Sequence, residues 1–392
     1  MSKSCCACGS SKTGEVAFFP RQPVASHFKR AKTEVDELYD LRVLGCSQCG
    51  LVQLESLPPL EALRPRFEWL RYNEPETHLD NVAKAIAAHA NQDGRVVGLI
   101  YKDDSLLARL EKLGFTNSAK DLTASCLADV PRPWGIETVA NWLSTGRGAR
   151  AAEGASVVVA RHVLEHCEDP RLAIETLFSW LGDGGLLVLE VPGCREALRA
   201  GIPELLWEEH ASYFTANSLK SLIRSSGGVI ADFAEHAYPF ESSLVALVRK
   251  GASTDLPEWS DAEILASGFG RQVKARVDAT ARALRRRHAE GKRTVIFGAG
   301  HLSCAFIALS GGADAIECVL DDTRHKQGMF LAGTQLPIVA TEALAAGPAG
   351  LCLMAVHPSV EEKVFARLAP LREAGWETKS IFPDSPYGID WN

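Results

Sequence analysis

The chain has 392 residues, 46% of them hydrophobic and 23% charged, and a net charge of −7. That is length and apolar content for two or three packed domains, and the acidic balance speaks against a nucleic-acid partner, which needs a basic face. No apolar run reaches roughly eighteen residues, so no membrane span is expected, and the start MSKSCCACGSS lacks the apolar core of a signal peptide, which predicts a cytoplasmic protein.

The first segment, residues 1–66, carries Cys5-x2-Cys8 and Cys46-x2-Cys49, each followed by glycine. Glycine permits the tight turn that aims backbone amides at thiolate sulfur. Two such knuckles supply the four thiolates that zinc prefers, with no position open for a catalytic water. A structural zinc on Cys5, Cys8, Cys46 and Cys49 is therefore expected, with Cys6 as a rival to Cys5. The scattered cysteines from Cys126 onward read as small core residues.

Residues 67–251 alternate strands and helices. A helical pattern follows Pro75-Glu76-Thr77-His78 through Ala90. Val96–Ile100 reads as a buried strand and Ser105–Leu113 as a helix capped by Gly114. Ser156–Ala160 is a second strand, Arg171–Leu181 a helix, and Leu186–Val191 a third strand after Gly184-Gly185. This order predicts a parallel, doubly wound sheet. Residues 252–292 form a helical connector with seven basic residues between Arg271 and Arg287, read as a solvated face.

Residues 293–392 form a smaller Rossmann-like domain. Thr294–Phe297 is a strand, Gly298-Ala299-Gly300 a turn, Leu302–Leu309 a helix, and Ile316–Leu320 a strand ending in Asp321-Asp322. The fingerprint G-x-G-x-x-S has Ser303 where a third glycine would stand, so it reads either as a partial dinucleotide loop or as a plain strand–helix turn.

The run CSQCGLVQL, the phrases ARHVLEHCEDP and WEEHASYF, the FGAG at Phe297–Gly300 and DDTRHKQGMFLAGTQLPI together resemble the zinc-containing, three-domain C-methyltransferases of nucleotide-linked keto sugars. The resemblance implies an α/β fold: a class I methyltransferase-like Rossmann core between a zinc-binding lobe and a smaller Rossmann-like domain. It implies S-adenosylmethionine as cofactor beside zinc, and a small-molecule substrate, a sugar nucleotide, handled by a monomer or homodimer. By position, His210 becomes the base that makes an enolate, Glu209 its orienting partner, and His166 and Tyr213 its helpers. Histidine suits the role because it titrates near neutral pH. Tyr72, Trp207, Gly298 and Gly300 become substrate residues, and Gly98, Tyr101, Asp103, Asp121 and His162 cofactor residues.

One part departs from the family. Its first strand ends in an acid and a glycine-rich turn, whereas this chain reads Gly98-Leu99-Ile100-Tyr101-Lys102-Asp103-Asp104. Glycines there let the backbone approach the cofactor closely. Trp207 also stands where the family has tyrosine. These departures leave two alternatives to methyl transfer: proton-transfer chemistry alone, as an epimerase or isomerase, or sugar-nucleotide binding without catalysis.

Overall fold

Fifteen strands form three sheets among the described residues, which are 3–67, 69–70, 74–147, 152–239, 241–252, 268–344 and 348–391 of a computed structural model. The first sheet has the order β1-β2-β3-β8, with β1 at Thr13–Pro23, β2 at Leu38–Cys46, β3 at Val52–Leu54 and β8 at Ser212–Tyr213. Val52 pairs with Tyr213 and Gln53 with Ser212, antiparallel.

The second sheet holds β4 (Val96–Gly98), β5 (Ser118–Ala119), β6 (Ala155–Arg161), β7 (Leu181–Gly193), β9 (Gly228–Ala237) and β10 (Ser242–Lys250), in the order β5-β4-β6-β7-β10-β9. The strands from β5 to β7 are parallel and β10 and β9 are antiparallel additions. Its strand sequences are apolar on both faces because both faces are covered. Successive side chains alternate between faces. Val97, Val158, Ala160, Leu187 and Leu189 pack on one side with Val139, Ile174 and Leu222 from the flanking helices. Val96, Val157, Val159, Leu186 and Val188 pack on the other with Leu79, Val82, Leu106 and Leu110.

The predicted elements of this region are present with shifted ends. The helix before β4 spans Leu79–His89, and the one after it spans Asp104–Lys112, followed by Gly114 at φ +100°. The strand predicted to Ile100 stops at Gly98: the Leu99 amide is shared between the Val159 carbonyl of β6 at 3.2 Å and the Asp103 carboxylate at 2.7 Å, and the Ile100 amide turns to Asp103. The helix predicted to Leu181 ends at Phe178, and β7 begins at Leu181. Asp169 caps that helix by accepting the Leu172 N–H at 3.0 Å.

The third sheet is parallel throughout, in the order β13-β12-β11-β14-β15, with β11 at Thr294–Phe297, β12 at Val319–Leu320, β13 at Ile338–Val339, β14 at Leu351–Met354 and β15 at Glu377–Ser380. The helix His301–Ser310 follows β11. Only two residues of the predicted strand Ile316–Leu320 pair as strand, because a short 3-10 turn runs from Ala313 to Ala315 just before it. The basic helix spans Phe269–Ala289.

The chain divides into two units. One comprises Met1–Val16, Arg42–Glu196 and Glu209–Ser267; the other Ala17–Leu41, Ala197–Glu208 and Gly268–Asn392. Among the described residues no helix is long and apolar enough to cross a membrane.

The turn after β11 depends on Gly298, whose φ is +100° and where a Cβ would stand 2.8 Å from the Ala355 carbonyl oxygen. Gly298→Ala should lower stability by about 1–3 kcal/mol through backbone strain. A reduced urea midpoint at constant slope is the expected reading; an unchanged midpoint would show that the turn accepts a side chain.

Candidate active site and zinc centre

The two knuckles close on one another. Gly9 and Gly50 adopt φ of +73° and +76°, and their amides return to the Cys5 and Cys46 carbonyl oxygens at 2.9 Å. Cys5 and Cys49 sulfurs lie 3.5 Å apart, and Cys8 and Cys46 sulfurs 3.7 Å apart. Zinc bound to four thiolates at about 2.3 Å needs sulfur–sulfur edges of about 3.8 Å. The donor set and its spacing therefore fit zinc. Cys6 is outside this set: its sulfur lies 3.3 Å from the Ser212 hydroxyl and its amide donates to Gln53 Oε1. The crowded neighbours, Cys46 first, hold the Cys49 thiol well above its ordinary value, which a bound cation would reverse.

The second site lies at the carboxyl ends of β4 and β6. The chain leaves β4 for β5 on one side and returns to β6 on the other, and such a reversal opens a crevice where α/β folds take ligands. Arg161 and Glu190 end two adjacent buried runs and are register partners across β6 and β7. Arg161 Nε donates to Glu190 Oε2 at 2.5 Å, and both side chains are 1% exposed. Arg161 also donates to the Lys102 carbonyl and, through its amide, to Asp103 Oδ1 at 3.0 Å. Asp103 Oδ2 accepts the amides of Leu99 and Ile100 at 2.7 and 2.8 Å. The loop after β4 is thus tied to β6 by side-chain charge.

Glu190 Oε1 gathers three more partners: Ser243 Oγ at 2.7 Å, His78 Nε2 at 2.9 Å and His162 Nε2 at 3.2 Å. Burial opposes its ionisation, but hydrogen bonds from His162 and His78 hold it well below the usual carboxylate range. His78 extends the chain to the Tyr238 hydroxyl at 2.7 Å. His162 sits at φ +52°, a conformation that strains a residue with a Cβ, and its amide donates to the Glu190 carbonyl at 2.8 Å. Burial works against its protonation, yet Glu74, Glu165 and Glu190 lift it to about 10, so it is an imidazolium.

His166 is the opposite case. Burial, then the charge of Lys102, pushes it down to about 3, so its ring is neutral. It is hydrogen-bonded to the backbone of Glu209, and the His210 ring meets it edge-on at 4.6 Å. Tyr213 stands 6.1 Å from His210, ring centre to ring centre. Glu165, His166 and His210 each bring a polar atom within 4.8 Å of the other two. A neutral ring, a second imidazole and a carboxylate in one crevice can accept, hold and return a proton.

Arg161 Nη2, His162 Nδ1, Glu165 Oε2 and His166 Nδ1 are buried with no hydrogen-bond partner. Leaving such an atom unsatisfied costs about 1–3 kcal/mol. Four of them around one crevice fit a polar ligand there.

Of the predicted cofactor residues, Gly98 ends β4, and a Cβ on it would come within 3.0 Å of Asp103 and 3.2 Å of Leu107; the loop's own packing requires this glycine. Asp103 faces the loop backbone, as above. Tyr101 is half-buried in the turn Tyr101–Asp103. Asp121 follows β5 at φ +44°, exposed, accepting the Thr123 amide at 3.1 Å. Tyr72 lies outside the described residues. Sequence reading missed Glu74, Lys102, Arg161, Glu165 and Glu190. A usable signal existed: Arg161 and Glu190 interrupt apolar strands with opposite charges at matching ends.

The second unit holds Trp207, Gly298 and Gly300. Trp207 stacks on His301 at 4.3 Å and 18°, and His301 Nε2 contacts the Glu204 carbonyl at 3.0 Å. The partial fingerprint closes on itself. Asp321 accepts the Ala299 amide at 2.9 Å and pairs with Lys326 at 3.0 Å, and Ser303 Oγ accepts the Gly300 amide at 3.2 Å. Asp322 pairs with Arg367. The plain strand–helix turn is the reading these bonds support.

Comparison with known proteins follows the same division. A zinc-binding domain model matches residues 5–63, a methyltransferase domain model 137–228, and a C-methyltransferase C-terminal domain model 225–383. In this order the three matches support a zinc-containing C-methyltransferase. It is 25% identical over 366 residues to the C-methyltransferase NovU of Streptomyces niveus, covering 87% of this chain and 86% of that protein. Among solved structures, the [4+2]-cyclase SpnF is 13% identical over 44% of this chain and 82% of its own, with a TM-score of 0.31. The 1,6-didemethyltoxoflavin-N1-methyltransferase of Burkholderia thailandensis is 13% identical over 45% and 77%, also with a TM-score of 0.31. The core is a class I methyltransferase-like Rossmann fold, and zinc and S-adenosylmethionine are the cofactors that these matches support.

Two measurements check the site. Purified protein should carry one zinc per chain, and Cys46→Ser should lose it together with much of the thermal stability; full zinc retention would remove Cys46 from the ligand set. The His162 pKa is raised above its unfolded value near 6.5, so its stabilisation is full below that pH and fades as pH climbs toward 10. Wild type should therefore lose melting temperature between those limits, and His162→Gln should lose less over the same range.

Proposed function

We propose that this C-methyltransferase acts on a nucleotide-linked keto sugar, and that His210 removes the proton from the carbon beside the ketone. The supporting observation is the edge-on contact of His210 with His166, a ring that burial keeps neutral. A base must be held where it can take a proton, and a neutral neighbour does not repel the imidazolium that results. Glu165, whose carboxylate is near His210, and Glu209 then favour the charged ring. His166 or Tyr213 donates a hydrogen bond to the enolate oxygen.

S-adenosylmethionine, when bound, would supply an electrophilic methyl group, with its sulfur taking the methyl–sulfur electron pair as the leaving group. His210 would take the proton from the substrate carbon, freeing the electron pair of that C–H bond for the methyl carbon. In this reading Asp121, just after β5, would hold the cofactor ribose, and Gly98, Tyr101, Asp103 and His162 would line its other end.

Incubation with a nucleotide-linked 4-keto sugar in deuterium oxide tests the base. Wild type should exchange the proton beside the ketone, and His210→Ala should slow this by about 100-fold or more. Full exchange in His210→Ala would assign the base elsewhere. Exchange that persists in wild type without any methylated product when S-adenosylmethionine is added would reduce the reaction to proton transfer.

A further inference from the structure

The loop after β4 lacks the glycines that would present bare backbone amides to a methyl donor, and the two amides best placed for that purpose are consumed by Asp103 Oδ2. Its carbonyl at Lys102 is likewise taken by the Arg161 guanidinium. What the loop still offers is a side chain. Lys102 is buried, and its ammonium pairs with Glu74.

Three further charges of this crevice keep most of their polar atoms engaged, although Arg161 Nη2 is left over. Arg161 is committed to Glu190 and the Lys102 carbonyl, and Glu190 to four donors. Asp103 accepts three backbone amides. Lys102 and Glu74 differ in meeting side chain to side chain through one hydrogen bond, with the charge of His162 also near Glu74. Burial opposes the charge on Glu74, but His162 and then Lys102 hold it at about 2. Burial also opposes the charge on Lys102, which Glu74 outweighs. Both groups are therefore ionised throughout the working pH range.

A cation and an anion side by side form the complement of an α-amino acid, which carries one ammonium and one carboxylate. We infer that Glu74 and Lys102 bind the amino-acid end of the methyl donor, Glu74 taking its ammonium and Lys102 its carboxylate, in place of a backbone cradle. The exchange leaves no buried charge unmatched: one internal ion pair opens and two form with the ligand. An unmatched buried charge would be costly at either stage. The inference rests on the reading of the chain as an S-adenosylmethionine-dependent enzyme.

Calorimetry on the full-length, zinc-loaded protein tests it with three probes: S-adenosylhomocysteine, its decarboxylated form, and methylthioadenosine, which lacks the amino-acid arm. Wild type should bind S-adenosylhomocysteine at least about tenfold more tightly than either analogue, as hydrogen bonds to charged groups imply. Lys102→Gln should erase most of the preference over the decarboxylated form while leaving methylthioadenosine affinity unchanged. The double variant E74Q/K102Q removes both charges, so it leaves no unpaired ion to unfold the protein, and it should bind all three probes alike. Variants that melt as wild type and keep the full preference would make the pair a structural latch and leave the methyl-donor reading intact. Failure of wild type to bind any of the three would overturn that reading and the inference together.

Discussion

The buried bond between Arg161 and Glu190 is the contact on which the crevice depends. It joins the carboxyl ends of two neighbouring strands, and from its two ends the remaining polar groups are hung. Through Arg161 it fixes the loop after β4. Through Glu190 it fixes His162, His78 and Ser243. Two desolvated ions are expensive in isolation, and they become tolerable when every lone pair and N–H has a partner. Glu190 meets that condition, whereas Arg161 leaves one nitrogen toward the crevice. The strained backbone of His162 is held by the same carboxylate and carbonyl, so the site's least relaxed residue leans on its strongest bond.

This arrangement explains how a core of this family persists without a glycine-rich loop. Glycines work by exposing backbone. Here the backbone is turned inward and satisfied by Asp103, and what the loop presents is the side chain of Lys102, paired with Glu74. The neutral His166 and the cationic His162 are four residues apart, yet burial dominates one and three carboxylates dominate the other.

Much of the architecture was legible in the sequence. Apolar runs such as Ser156–Ala160 and Leu186–Val191 could only be covered parallel strands, and paired C-x2-C knuckles could only sensibly be one tetrahedral set. Strand and helix ends were less legible, because they are decided by single bonds: Leu99 and Ile100 look like strand until Asp103 is seen to take their amides. The motif loop drew attention to His210 and Glu209, but motifs name residues near one another in the chain. Glu165, Glu74 and Lys102 come from three separate segments, and Glu190 hides inside an apolar strand, so their convergence on the crevice requires the fold. The acidic pair Asp321-Asp322 was open to two readings in the sequence: a spacing shared with dinucleotide folds serves here to hold a turn and a salt bridge.

The pairing of β3 with β8 has a consequence for the cysteine lobe. Ser212 and Tyr213 follow His210 by two and three residues, yet they form an edge of the sheet that carries the cysteine knuckles, and Cys6 itself rests on Ser212. The metal lobe is therefore not a detachable appendage. Removing it would leave the segment that follows His210 with an unpaired strand, so the cysteine lobe and the crevice share one backbone support.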